Sequence, residues 1–308
     1  MKTFLESKEY TKKKKAHQTG RLEYSFVTES VDALEEYLIT GNKIAGSTKN
    51  EIDSLGTWNH WNFINNYVAI NELEYALLVK ATYYHIECNN WAFFLGKWRE
   101  HVDFATSFTK SIKHLGQLLY LRQTERAIQY GKLLLKMLYG KQYKGWHVFP
   151  KHPWFMMELF CKWQNIELDY DKLNYPDSLG VYENTLQHWD TTDTELLSAL
   201  IDKLSDFHIK QSSEYEQETE KDENGDGYDL EFTSADYFIF PIEILIWLAI
   251  RREMGLPEYE PSPKNELMQL EINRLPEKVV PWPTDELVEK CKAKLKADNP
   301  EIDFELDF

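Results

Sequence analysis

The chain has 308 residues and a mass of 36.6 kDa, enough for one large domain or two closely packed ones with a substantial core. Hydrophobic residues make up 43% and charged residues 28%, as in ordinary globular proteins, whereas the aromatic share of 14% is high. The formal net charge of −16 disfavours binding to nucleic acids and to anionic membranes.

The negative charge is concentrated in the second half of the chain. Residues 1–150 carry 20 Lys and Arg against 15 Asp and Glu, a net charge of +5. Residues 151–308 carry 15 against 36, a net charge of −21. A net charge of this size in the second half attracts basic protein surfaces, although selection for solubility alone would also explain the charge.

Several sequence features predict a cytoplasmic protein. The start, MKTFLESKEYTKKKK, lacks the apolar stretch of a secretory signal. The apolar run between Tyr237 and Ile250 is shorter than the roughly 20 residues of a membrane-spanning helix. Cys88, Cys161 and Cys291 are odd in number and far apart, which is typical of reduced thiols rather than of a disulfide framework.

The first predicted elements follow a flexible basic tail over residues 1–25. SVDALEEYLITG has helical periodicity, with Ser30 as the N-cap and Gly41 as the stop. A loop is expected near residues 41–56. Helical periodicity then continues towards Gly140, so that residues 26–150 form an N-terminal helical part.

Residues 151–308 are predicted to form an acidic C-terminal helical part, packed on the first or joined with it in one domain. Three helical segments open it: KHPWFMMELFCKWQN, VYENTLQHW and TDTELLSALIDKLSDFH, the last capped by Thr192 or Asp193. Gly and Pro are scarce and strand-like alternation is confined to the final EIDFELDF, a short segment that can lie extended. The predicted fold is therefore all-α, a multi-helix bundle of antiparallel helical hairpins.

The most apolar stretch, DYFIFPIEILIWLAIRREMGLP, predicts a central helix covered on most sides. This helix either begins at Pro241 or is kinked there. If it begins there, Glu243 lies in the first turn, where the helix dipole favours a carboxylate. A functional role for Glu243 is the alternative. Two arginines followed by Gly255 predict the end of the helix.

Three residues carry the hypothesis of an enzyme. His85 and Glu87 match the H-x-E half of a zinc deaminase site, but the P-C-x-x-C half is missing. His85 and Cys88 can share one helix face, as in a metal site, or form a buried structural pair. The alternative function is thus a metal-dependent or small-molecule enzyme with a site near these residues. The sequence itself assembles no catalytic site, metal site or cofactor site.

The stretch DENGDG matches the first half of an EF-hand calcium loop, with Asp222, Asn224 and Asp226 at the first three ligand positions. The second half departs from the pattern. Leu230 stands at the ninth position, and Thr233 stands where a bidentate Glu is required. A flexible acidic loop is the alternative interpretation.

The acidic segment, defined here as residues 212–234, contains the predicted partner-binding site. Its nine acidic residues and single Lys disfavour a helix, and two tyrosines among them are typical of a docking surface for a basic partner. The predicted contact residues are Glu214, Tyr215, Glu216, Glu218, Glu220, Asp222, Glu223, Asp226, Tyr228, Asp229 and Glu231. An ordinary insertion between two helices is the alternative.

The block FPIEILIWLAIRREMGLP, followed by SPKNELMQLEINRLPEKVVPWPTDELVEKC, resembles the end of all-helical immunity proteins. These proteins accompany bacterial polymorphic and type VI secretion toxins, and the similarity is to the immunity 49 type in particular. The immunity proteins of PoNe-type DNase toxins are a near alternative. The resemblance covers the C-terminal third and the aromatic helical body, and it includes no catalytic signature.

The resemblance implies a cytoplasmic protein that binds and neutralises a cognate toxin and is not an enzyme. Immunity proteins to nucleases are often acidic because their targets carry basic clefts, and the acidic half of this chain fits a nuclease toxin as well as other basic partners. Inhibition would then be stoichiometric occlusion, steered by charge. A helical scaffold that binds peptides in a groove is a further alternative. Neither nucleic acid nor a membrane is expected as a partner.

Overall fold

The computed structural model describes residues 24–40, 45–98, 106–140, 143, 148–212 and 230–300. The helices are α1 (Tyr24–Thr40), α2 (Ala45–Ile70), α3 (Tyr75–Trp98), α4 (Phe108–Tyr120), α5 (Thr124–Tyr139), α6 (His152–Gln164), α7 (Val181–Gln187), α8 (Thr194–Lys210), α9 (Ile242–Glu253), α10 (Glu266–Gln269) and α11 (Glu286–Asp298). These ranges contain no strand, only two isolated β-bridges, so the predicted all-α fold is confirmed. The predicted extended segment EIDFELDF lies outside them.

The described residues divide into two compact units. Unit A consists of residues within 24–66, 73–143 and 279–300. In it, α4 packs against α3 and α5, and α11 packs against α1. Its core side chains are Leu34, Tyr37, Ile52, Leu55, Tyr83, Tyr84, Cys88, Trp91, Leu95, Val288, Cys291 and Leu295. Residues 279–300 therefore pack with the N-terminal helices, whereas the predicted division at residue 150 placed them in the C-terminal part.

Unit B consists of residues 67–72 and the described residues within 148–278. Helix α9 packs against α6 and α8, and α7 packs against both α6 and α8. Residues 242–251 of α9 are all buried, which confirms the predicted central helix. Among the helices that the structure describes, none is long and apolar enough to cross a membrane.

The two ends of α9 follow the local sequence. Pro241 is the N-cap residue, so the helix begins at the proline and is not kinked by it. At the other end Gly255 has a φ of 66°, a conformation that glycine adopts without strain. The N–H of Gly255 donates to the Arg252 carbonyl, and the N–H of Leu256 donates to the Arg251 carbonyl, each over 3.0 Å. These two bonds form a Schellman motif, which satisfies carbonyls that the helix itself leaves free.

Two predictions at the start of the chain are wrong. Helix α1 begins at Tyr24, so Ser30 lies inside it, and the Ser30 hydroxyl donates to Glu51 Oε2 over 2.7 Å instead of capping the helix. Most of the loop expected near residues 41–56 belongs to α2, which begins at Ala45. Its polar sequence is helical because Ile52 and Leu55 are buried in the core of unit A, and tertiary packing outweighs local propensity.

Two other helix caps, at Asp193 and Gly140, lie where the sequence predicts them. Asp193 caps α8, and its Oδ1 accepts hydrogen bonds from the N–H groups of Glu195 and Leu196. Gly140 is the C-cap of α5, as expected. The Asp193 cap satisfies backbone N–H groups within three residues of it, so the neighbouring sequence is enough to predict it.

Candidate functional site

Ten of the eleven predicted contact residues, from Glu214 to Asp229, lie outside the described residues, as does the stretch DENGDG. Residues 1–23 of the tail predicted over residues 1–25 also lie outside them, and the last two residues of that tail belong to α1. The structure does describe both ends of the acidic segment, at Ser212 and from Leu230 onwards. It therefore establishes where the segment leaves unit B and where it returns.

The two ends of the acidic segment meet at one place. Ser212 and Phe232 form an isolated parallel β-bridge, and the N–H of Phe232 donates to the Gln211 carbonyl over 3.1 Å. The hydroxyl of Ser212 donates over 2.6 Å to the carbonyl of His208, in the last turn of α8. The segment thus leaves and returns through a base that belongs to unit B.

Glu231 is the one predicted contact residue that the structure describes, and it is 4% exposed. Its Oε1 accepts a hydrogen bond from the backbone N–H of His152 and lies 3.2 Å from Nδ1 of the same residue. A carboxylate buried in this way cannot contact a partner, so the assignment of Glu231 to the docking surface is corrected. Its role is to fix the returning end of the segment.

The next residue, Phe232, is 1% exposed and lies among aromatic rings. Its ring centroid is 4.8 Å from that of His152, on α6, and 4.3 Å from that of His208, on α8. Tyr237 is a third neighbour at 5.8 Å. We call His152, His208, Glu231, Phe232 and Glu243 the base cluster.

The most buried polar pair of the base cluster joins α8 to α9. His208 Nδ1 lies 2.7 Å from Glu243 Oε1, His208 Nε2 lies 2.9 Å from the Tyr237 carbonyl oxygen, and the two side chains are 0% and 1% exposed. Each ring nitrogen thus faces an oxygen atom, so His208 links α8 both to α9 and to the backbone before it. Glu243 is therefore a structural partner of His208 as well as a first-turn carboxylate.

Further polar atoms lie buried around this pair without a protein hydrogen-bond partner: His152 Nε2, Tyr182 Oη and Glu243 Oε2. Burial raises the pKa of Tyr182 well above 10, and the nearby carboxylates of Glu231 and Glu243 raise it further. The hydroxyl of Tyr182 thus keeps its proton. All five side chains of the base cluster are buried, with exposures between 0% and 4%.

The residues of the enzyme hypothesis lie on α3 in unit A. His85 Nδ1 lies 2.9 Å from Asp53 Oδ1, and the His85 ring stacks on that of His114 with centroids 4.2 Å apart. Gly56 lies against the His85 ring, where an added Cβ would meet three ring atoms at 2.8–2.9 Å. The imidazole of His85, 7% exposed, is thus held in place by its neighbours.

Glu87 pairs with a different residue from His85, whereas Cys88 lies close to Asp53, the partner of His85. Glu87 Oε1 lies 2.9 Å from Lys292 Nζ, and both side chains are buried. Burial, followed by the charge of Asp53, raises the pKa of the Cys88 thiol, which makes it a poor nucleophile. Among the residues described, no group of three or more His, Cys, Asp or Glu side chains is placed to hold a metal ion.

Each of the two stacked histidines, His85 and His114, has a different polar neighbour. The neighbour of His85 is Asp53. Burial alone would raise the pKa of the Asp53 carboxyl, but the hydrogen bond to His85 and the charge of His85 outweigh burial and lower this pKa to about 2. Burial lowers the pKa of His114 well below 6.5, and the neighbouring His85 lowers it further. His114 Nδ1 lies 3.0 Å from the Gln117 amide oxygen, an arrangement that suits a neutral imidazole donating one hydrogen bond.

We expect His114 to make stability fall in mild acid. Its pKa is near 6.5 in the unfolded chain and well below that in the folded chain, so below pH 6.5 the unfolded state binds the extra proton. The free energy of unfolding then falls by up to about 1.4 kcal/mol per pH unit. A His114→Gln variant should lose this part of the slope in urea unfolding measured between about pH 6.5 and pH 5. A slope equal to that of the wild type would contradict the prediction.

Comparison with known proteins does not place this chain in a family. No protein-family model matches it, and neither does any curated protein or solved structure. The function proposed next is supported by the chain's own charges and contacts.

Proposed function

We propose that this chain is an immunity protein, which binds a cognate antibacterial toxin and neutralises it by stoichiometric occlusion, without catalysing a reaction. The partner is a toxin with a basic surface, and a nuclease with a basic cleft for nucleic acid is the expected case. The observation that carries the proposal is the placement of an acid-dense segment on a fixed, buried base in the acidic unit of the chain.

Unit B holds most of the excess negative charge. Residues 148–278 contain 11 Lys and Arg against 28 Asp and Glu, a net charge of −17. The acidic segment lies within this range and contributes nine of these acids. A charge density of this kind steers a basic partner during diffusion and raises association rates by one to three orders of magnitude at low salt.

The buried groups in unit A support a non-catalytic function. His85 is paired with Asp53, Glu87 is paired with Lys292, and the thiol of Cys88 is buried with a raised pKa. In each case, packing or charge neutralisation is enough to explain why the polar side chain is buried there. The polar groups at the base of the acidic segment are likewise sealed inside unit B.

We expect the rate of association with the toxin to depend on the acidic segment. Changing Asp222, Glu223, Asp226 and Asp229 together to Lys should slow association at low salt by about tenfold or more, because the attraction becomes repulsion. The measurement is stopped-flow or surface-plasmon kinetics with the cognate toxin domain, for which the reading frame next to that of this chain is the first place to search.

A matched control reverses four acids of α1 in unit A: Glu29, Asp32, Glu35 and Glu36, all of them exposed. This variant undergoes the same change in net charge, so any effect of overall charge alone appears in it too. If association is slowed equally in both variants, the effect comes from overall charge and the acidic segment is not part of the interface. If association is slowed in neither variant, electrostatic steering does not operate.

A further inference from the structure

We propose that unit B binds one internal water molecule through three buried side-chain atoms, Tyr182 Oη, His152 Nε2 and Glu243 Oε2. This internal water site goes beyond the proposed function, because it does not involve a partner. The water joins three helices through their first turns. His152 is the first residue of α6, Tyr182 is the second residue of α7, and Glu243 is the second residue of α9.

The first support is that the three atoms are buried without a protein partner. Tyr182, His152 and Glu243 are each 1% exposed. Within the part of the chain that the structure describes, none of the three atoms has a hydrogen-bond partner. A buried polar atom without a partner destabilises the folded state, and ordered water satisfies such atoms where they lie close together.

The second support is that the contacts of unit B bring the three side chains to one place. Helix α6 packs against both α7 and α9. His152 and Phe155 lie three residues apart on α6, and the Phe155 ring stacks on that of Tyr182 with centroids 4.6 Å apart. Burial raises the pKa of Tyr182, and the charges of Glu231 and Glu243 raise it further, so both carboxylates lie near its hydroxyl. Glu231 also lies 3.2 Å from His152 Nδ1.

The third support is that the three atoms supply one hydrogen-bond donor and two acceptors. The hydroxyl of Tyr182 keeps its proton because burial raises its pKa, so it donates. His152 Nδ1 faces Glu231 Oε1, a carboxylate oxygen that accepts, so Nδ1 carries the proton and Nε2 of the neutral imidazole is an acceptor. Glu243 Oε1 lies 2.7 Å from His208 Nδ1, so a proton shared by this pair lies at Oε1 and leaves Oε2 as an acceptor.

This combination of one donor and two acceptors favours water over a cation. A water molecule accepts a hydrogen bond from Tyr182 and donates one each to His152 and Glu243, and about three bonds are usual for a buried water. A metal cation binds only lone pairs, and an ammonium ion only donates, so either would leave the proton of Tyr182 without an acceptor. Water alone among these ligands satisfies all three atoms.

Removing the hydroxyl by Tyr182→Phe tests the internal water site in solution through the sign of the effect. With water bound, the substitution removes one of its hydrogen bonds, and the folding equilibrium constant from urea unfolding should fall by about three- to tenfold. A dry, unpaired hydroxyl would instead be better lost, so an unchanged or increased constant overturns the inference. The control is Tyr175→Phe, which removes a hydroxyl that donates directly to Glu158 over 2.9 Å and should cause a loss of similar size.

A crystal structure of the wild-type chain, at a resolution that shows ordered water, tests the same site without a variant. We expect one density peak within about 2.6–3.2 Å of Tyr182 Oη, His152 Nε2 and Glu243 Oε2. A direct bond between two of these atoms, or the absence of a peak between them, overturns the inference. Soaking the crystals in rubidium chloride distinguishes the ligands: an anomalous signal at the site means a cation and also overturns it, whereas a peak without that signal supports water. Both tests use the chain alone, so their outcome is separate from that of the proposed function.

Discussion

Replacing Glu243 by Ala is expected to lower the free energy of unfolding by about 2–4 kcal/mol, because it deletes a buried side chain and leaves the buried His208 imidazole without its partner. Glu243 and His208 are 1% and 0% exposed, so the lost carboxylate is not replaced by bulk solvent. His208 would then keep an imidazole between helices α8 and α9 with no acceptor at Nδ1. Urea unfolding followed by circular dichroism measures the change directly.

Two controls test whether the pair itself is responsible. Glu258→Ala removes an exposed carboxylate of unit B and should change stability by less than about 0.5 kcal/mol. The double variant His208→Leu with Glu243→Leu removes both polar groups, and it should lose less stability than Glu243→Ala alone, because no unpaired group remains. A loss below about 1 kcal/mol for Glu243→Ala would contradict the described pairing.

Gly56→Ala is expected to destabilise unit A, although the same change in a helix usually stabilises by about 1 kcal/mol. The new Cβ would lie 2.8–2.9 Å from ring atoms of His85, well inside normal contact distance. That ring cannot move away freely because it is stacked on His114 and bonded to Asp53. We expect a net loss of about 1–3 kcal/mol, as in other overpacked cores, from thermal or urea unfolding.

The control for this substitution is Gly140→Ala, at the exposed end of α5, where φ is −92° and alanine fits without strain. Repeating Gly56→Ala in a His85→Ala background removes the obstacle, so there the substitution should be neutral or stabilising. Stabilisation by Gly56→Ala in the wild-type chain would show that His85 does not lie against Gly56.

The parts of the fold that local sequence determines were predicted correctly. The boundaries of α9 depend on Pro241 at one end and on Gly255 at the other, and both residues restrict the backbone within a few positions. The apolar run between them predicted a buried central helix, and its burial is complete over residues 242–251. Such signals need no knowledge of distant contacts.

The parts that failed depend on contacts between distant residues. The polar start of α2 is helical because Ile52 and Leu55 are buried against residues far along the chain. For the same reason, residues 279–300 join unit A, where Val288 and Leu295 are buried beside Leu34. Periodicity within one window does not reveal which partner a helix face will find.

The candidate site was predicted only in part. The acidic segment is visible as a run of like charges, but Glu231 is indistinguishable in sequence from the acids before it, and its burial depends on His152 far upstream. The partner of Glu243, His208, is separated from it by 35 residues and was not predicted. A histidine at the end of an apolar helical stripe, facing a lone carboxylate in an apolar run, is the pattern that could have indicated this pair.

The most direct test of the proposed function is calorimetric titration of the intact chain into its cognate toxin domain, with toxin activity assayed in the same mixture. We predict a one-to-one complex that loses affinity by about tenfold or more between low and high salt, since screening weakens exposed charges. Toxin activity should end at the equimolar point. A chain that forms no complex, or a complex in which the toxin stays fully active, would contradict the central claim.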